Sequence, residues 1–130
     1  MTRISHLAIV VQDVDKAVKL MSEGFGLRIG GRKDYPAAGI KVAILKAENL
    51  EIELIEPTGP GNYWQFRALG PASFNHLAFD GDTISSFAER SDKLGVRLKK
   101  DSIRDADGGS ITDIDPETTL GLRFQVFNRR

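Results

Sequence analysis

The 130-residue chain contains no cysteine. Disulfides, thiol nucleophiles and cysteine-based zinc sites are therefore excluded. It also has no excess charge of either sign: 18 Lys and Arg stand against 18 Asp and Glu, a formal net charge of zero. A chain so balanced carries no electrostatic footprint for nucleic acid or an anionic membrane. No apolar run approaches the roughly 18–20 residues of a membrane span. The opening MTRISHLAIVVQDVD meets acidic residues early and has no small-residue cleavage site, so no signal peptide is expected. These absences lead to the expectation of a cytoplasmic protein whose partner is a small molecule rather than nucleic acid or membrane. Hydrophobic residues at 41% and charged residues at 28% match ordinary globular usage, which argues against disorder. The length suits one domain, or two small repeats sharing a core.

The chain does repeat itself. His6-Leu7-Ala8-Ile9 returns as His76-Leu77-Ala78-Phe79, an offset of 70 residues. Val14 then corresponds to Ile84, and Gly26 to Gly95. Leu50-Glu51-Ile52-Glu53-Leu54-Ile55 returns 72 residues later as Leu122-Arg123-Phe124-Gln125-Val126-Phe127. Four landmarks near one offset imply two related halves, 1–57 and 72–130, joined by a linker over 58–71 in a single domain.

Each half has the same local grammar. Ile4–Val11 is β-branched and apolar, as a strand requires. Asp13 and Asp15 then place negative charge at a helix start, and Val14, Ala17, Val18 and Met21 recur at i, i+3, i+4 and i+7. Leu27–Lys33, Ile40–Ala47 and Leu50–Glu56 read as three further strands, separated by turn residues. In the second half the spacing predicts a strand at Phe74–Phe79 and a helix from Thr83 using Ile84, Phe87, Ala88 and Leu94. Strands near Val96–Lys99, Ser110–Ile114 and Gly121–Phe127 follow. The unit is βαβββ, twice. Pro57-Thr58-Gly59-Pro60-Gly61-Asn62 is turn chemistry, and Tyr63–Leu69 suits a short helix or lid.

Strand alternation assigns the faces. Leu50, Ile52 and Leu54 share one side, as do Leu122, Phe124 and Val126; these must pack on the helices. Glu51, Glu53 and Ile55, with Arg123, Gln125 and Phe127, take the opposite face, where a ligand can reach them. His6 and His76 are the only histidines, and the repeat superimposes them. Glu53 and Gln125 superimpose as well. Halves packed as a pseudo-twofold pair would converge these four side chains. Two imidazoles, a carboxylate and an amide oxygen suit one divalent ion such as Zn, Mn, Co, Ni or Fe.

The stretches ISHLAIVVQDVDKAV, LEIELIEPTGP, FNHLAF and GLRFQVF together resemble the vicinal oxygen chelate superfamily, whose members include glyoxalase I, extradiol dioxygenases and bleomycin resistance proteins. Within it, VQDVDKAVKL, YPAAGIKVAIL and IELIEPTGP are most similar to methylmalonyl-CoA epimerases. The resemblance implies an α+β fold of two tandem βαβββ modules pairing into a cupped mixed sheet around a metal-binding cleft. It implies the metal ligands His6, Glu53, His76 and Gln125, and a homodimer. Two positions depart from the epimerase pattern: Ala37 and Gln125 stand where it has glutamates. Neither alanine nor glutamine can take a proton from carbon. Glu53 is then the best candidate base, with Asp105 or Asp107 as a candidate second acid.

The expected activity is a metal-dependent isomerase, epimerase or lyase that stabilises an enolate of a small carbonyl or thioester substrate. Tyr63, Trp64 and Phe66 are candidates for a lid that desolvates Glu53, or for a staple holding the linker to the core. Two alternatives stay open. His6, His76 and Glu53 also satisfy the two-histidine, one-carboxylate requirement of an Fe(II) ring-cleaving dioxygenase. A non-catalytic, antibiotic-type binding protein would use the same fold without metal chemistry. Arg97, Lys99, Lys100, Arg104, Arg129 and Arg130 read as a solvated basic face, with phosphate binding as the sharper alternative.

Overall fold

A computed structural model of the chain describes residues 2–106 and 108–129. Its elements run β1 (Arg3–Val11), α1 (Val14–Lys19), β2 (Arg28–Tyr35), β3 (Ile40–Lys46), β4 (Glu51–Pro57), β5 (Ala72–Asp80), α2 (Ile84–Asp92), β6 (Arg104–Ala106), β7 (Gly109–Asp113) and β8 (Phe124–Arg129). The class is α+β, with the strands hydrogen-bonded in the order β2-β3-β4-β1-β5-β8-β7-β6. Contacts divide the chain into two compact units, His6–Asn75 and Met1–Ser5 with His76–Arg130. Among the described residues, no helix is long and apolar enough to cross a membrane.

In the unit His6–Asn75, β1 pairs parallel with β4, Ala8 standing opposite Glu53 and Val10 opposite Ile55. β4 continues antiparallel to β3, and β3 to β2. The helix begins where its exposed N–H groups find partners. The Asp13 carboxylate accepts from Lys16 N at 3.0 Å, and Glu56 Oε1 accepts from Val14 N at 2.9 Å. Val14 and Val18 are buried against Val11, Ala43, Leu45 and Leu54, with Ala17, Met21 and Ile52 packed beside them. The helix then widens into a π turn over Leu20–Gly24 before Gly26, at φ 77°, ends it. The opposite face of β1 and β4 is covered too. Ala8, Val10 and Ile55 form a second buried cluster with Phe66, and Tyr63 packs against it. This double cover explains why β1 is apolar almost without interruption, since a parallel strand buried on both sides has no polar face to keep.

The linker is held to the β2–β3 turn. Gly39 lies at φ 69°, and its carbonyl accepts from Thr58 N at 2.7 Å. A Cβ there would stand 2.6 Å from the Gly59 carbonyl oxygen, so only glycine allows this approach.

In the other unit, β5 pairs parallel with β8, Ala78 standing opposite Gln125, and β8 runs antiparallel to β7. Thr83 caps α2, its hydroxyl accepting from Ser86 N at 3.0 Å. Arg3 Nε donates to the buried Asp80 at 2.9 Å, and the Phe79 and Phe124 rings pack 5.6 Å apart.

Three expectations from the sequence need correction here. Leu94 is 81% exposed, because α2 stops at Asp92 and Ser91 takes the buried i+7 position. Val96–Lys99 forms no strand beyond a single bridge between Leu98 and Ile114. The chain instead turns over Lys99–Ser102 with Asp101 at φ 58°, a left-handed residue that no glycine announced. The last strand starts at Phe124 rather than Gly121, since Leu120 (φ 63°) and Gly121 (φ 82°) turn the chain first.

Leu54, 1% exposed, ties β4 to α1. Leu54→Ala is expected to lower stability by about 2–5 kcal/mol, a transfer loss plus a cavity, read from urea unfolding.

Candidate metal centre

Strand pairing decides which side chains share a face. Paired residues of a parallel ladder point the same way, and so do residues two apart in one strand. Ala8 opposite Glu53 therefore puts His6 on the face of Glu53. In the second unit, Ala78 opposite Gln125 puts His76 on the face of Gln125. The two registers are equivalent, residue for residue.

His6 and Glu53 stand on neighbouring strands of one unit, and His76 continues directly from Asn75, that unit's last residue. One ligand atom from each of His6, Glu53 and His76 lies within 4.8 Å of the other two. His76 is 3% exposed, and His6 and Glu53 are half-buried. Two donors each 2.0–2.2 Å from a first-row ion stand at most roughly 4.4 Å apart. The observed spacing is thus close to that of donors arranged around one ion. Two neutral imidazole nitrogens and one carboxylate oxygen are also a donor set that borderline and hard divalent ions accept. The residues fit a metal.

Gln125, the fourth candidate, is 7% exposed, and its Nε2 donates to Asp113 Oδ1 at 3.0 Å. The remaining candidates are dispersed. Ala37 sits exposed in the short helical turn Pro36–Ala38. Asp105 is exposed on β6, paired with Ser110, so it belongs to a hairpin arm. Asp107 lies outside the described residues, as does Arg130. Phe66 and Tyr63 act as the staple: they pack on Ala8, Val10 and Ile55, one step along the strands from His6 and Glu53. Trp64 instead stacks with Arg67, whose guanidinium carbon is 3.2 Å from the ring centroid. Arg97, Lys99 and Lys100 are exposed as expected, but Arg104 is not simply a solvated cation. It pairs with Asp113 at 3.3 Å and donates to the Ser102 carbonyl at 2.8 Å.

Asp113 is the residue that sequence reading missed. It stands directly opposite Gln125 in the β7–β8 ladder. The strand pattern around Ser110–Ile114 signalled β7, but register between strands is not written in either strand alone. Elsewhere, Asp15 is held below the usual carboxylate range by its hydrogen bond to Arg32 and by that guanidinium's charge. It is exposed and takes no part in the site.

Residues 5–112 match the family described as the Glyoxalase/Bleomycin resistance protein/Dioxygenase superfamily. The chain is 29% identical over 98 residues to an ethylmalonyl-CoA/methylmalonyl-CoA epimerase of Cereibacter sphaeroides, covering 74% of this chain and 73% of that one. Its fold is similar to that of methylmalonyl-CoA epimerase from Mycobacterium tuberculosis, with a TM-score of 0.85 at 20% identity over 98% of this chain and 88% of the other. It is also similar to a methylmalonyl-CoA epimerase solved with methylmalonyl-CoA and NH4+, with a TM-score of 0.84 at 23% identity over 99% and 95% of the two chains.

Elemental analysis is expected to find about one divalent ion per chain in protein purified without a chelating tag. His6→Ala and His76→Ala should each lose it, weakening affinity by more than the roughly 10–100-fold typical of a supporting residue. Retention of the ion by either variant would show that the three side chains do not form one site.

Proposed function

Because the chain belongs to the Glyoxalase/Bleomycin resistance protein/Dioxygenase superfamily, we propose that it is a divalent-metal-dependent epimerase or isomerase acting on the carbon beside the carbonyl of an acyl thioester, of the acyl-CoA type. The observation that carries this reading is the convergence of His6, Glu53 and His76 within 4.8 Å. Relatives with acyl-CoA epimerase names support the substrate class. His6, His76, Glu53 and Gln125 would hold the ion. When bound, a divalent ion supplies Lewis-acid stabilisation of the substrate oxygens as negative charge develops on them.

The rest is done by the chain's own residues. Glu53 takes the proton from the α carbon, and the C–H electron pair moves into the enolate while Glu53 becomes a carboxylic acid. Return of the proton from Glu53, or its exchange with water, regenerates the base. Inversion needs a donor on the opposite face, and Ala37 and Gln125 have no acidic proton to give. Water or a second acid must serve that face. Chains of this kind pair as homodimers in our reading, and the substrate is the only further partner required.

The same three donors satisfy the two-histidine, one-carboxylate set used by Fe(II) oxygenases. That second reading is separated from the first by the element found in the protein, iron favouring it and zinc, cobalt, manganese or nickel opposing it.

Incubation of the metal-loaded protein with methylmalonyl-CoA or ethylmalonyl-CoA in deuterated water should exchange the α proton, seen by mass spectrometry. Glu53→Gln keeps an oxygen for the ion but removes the base, and is expected to slow exchange by about 100-fold or more. Exchange at the wild-type rate in this variant would exclude Glu53 as the base. No exchange by the loaded wild type on either thioester would overturn the thioester reading.

A further inference from the structure

The amide of Gln125 is built to face one way. Its Nε2 donates to Asp113 Oδ1 at 3.0 Å, and a carboxylate can only accept, so the atom turned to Asp113 is the nitrogen. The planar amide then presents Oε1 on the side away from Asp113. Asp113 is itself anchored. Arg104 Nη1 and Nη2 donate to its two oxygens, each at 3.3 Å, and Arg104 Nη1 also donates to the Ser102 carbonyl at 2.8 Å. The backbone of Asp113 is tied to the same point, its N–H donating to Ser102 Oγ at 3.1 Å, while that hydroxyl lies 2.8 Å from Thr112 Oγ1. Thr112 is fully buried and Ser102 nearly so. Every member of this chain lies in the unit that includes His76–Arg130.

Orientation matters because the two ends of an amide are not equivalent to a cation. The oxygen carries lone pairs, whereas the nitrogen offers two N–H donors and repels positive charge. An unsupported glutamine would sample both orientations. We propose that Asp113, held by Arg104, is a positioning residue that fixes the Gln125 amide with its oxygen turned toward the metal, and so makes an amide a competent ligand. This rests on the reading of Gln125 as a fourth ligand.

The test is a double-mutant cycle read by Co(II) affinity of the full-length metal-free protein, followed through the visible d–d absorption. Asp113→Ala should weaken Co(II) binding by about 10–100-fold, the usual cost of losing a residue that orients a ligand. Asp113→Leu, which fills the space without an acceptor, should do the same, and circular dichroism checks that each variant is folded. In a Gln125→Ala background, Asp113→Ala should cost nothing further, because there is no amide left to orient. An equal loss in both backgrounds would mean that Asp113 acts by its charge or through the strand pair, and would overturn the proposal. Wild-type affinity in both Asp113 variants, with affinity lost in Gln125→Ala, would overturn it while leaving Gln125 a ligand. Unchanged affinity in Gln125→Ala would remove the fourth-ligand reading and the positioning role together. Failure of the wild type to bind Co(II) would instead count against the metal-enzyme reading itself.

Discussion

Ala8 stands opposite Glu53 in a parallel ladder, and the chemistry of the site depends on that register. A slip by one residue would turn every side chain of one strand to the other face. Glu53 would leave the face of His6, and Leu54 would leave the helix. The register is secured because both faces of the ladder are occupied by apolar clusters. Leu54 and Ile52 pack with Val14 and Val18 on one side, while Ile55 packs with Ala8, Val10 and Phe66 on the other. Apolar burial therefore positions a polar pair without touching its polar atoms. Glu56 adds a directional restraint by capping the helix that the same strand packs against.

The second parallel ladder repeats this arrangement with one chemical change. Ala78 stands opposite Gln125, so an amide takes the place that a carboxylate holds in the first unit. A carboxylate has two equivalent oxygens and needs no orientation, but an amide does. The same unit contains the device that supplies it, in Asp113 and Arg104. Asp113 also makes a carboxylate at position 125 unfavourable, since two acids would then face each other across the β7–β8 ladder. The glutamine and the aspartate are thus physically consistent with each other.

This exchange bears on catalysis. In the function proposed, a centre with one carboxylate has one base, and Glu53 is the carboxylate of the three-residue cluster. Ala37 is exposed in a turn and has no proton to exchange, and Asp105 is exposed on the β6–β7 hairpin. Proton removal at one face is therefore the step these residues support most directly.

Much of this was legible in the residues themselves. The 70-residue recurrence of His-Leu-Ala and the alternation in Leu50–Ile55 pointed to the strands, the faces and a candidate group of His6, Glu53, His76 and Gln125, of which the first three have ligand atoms within 4.8 Å of one another. Those signals survive in a linear sequence because side-chain direction in a strand follows a period of two. The extent of α2, the turn at Asp101 and the late start of β8 were not legible, because a serine in an apolar position and left-handed Asp101 and Leu120 leave no local mark, and Gly121 alone does not say that a turn precedes the strand. What the sequence by itself determined is the set of candidates: two histidines, a carboxylate and an amide, with a repeat that aligns them. What only the tertiary structure decided is who supports them. Phe66 lies on the face of Ile55, and Asp113 stands across from Gln125. Both facts follow from the pairing of segments distant in the chain, and such pairing is set by packing energies summed over whole strands rather than by any residue's own preference.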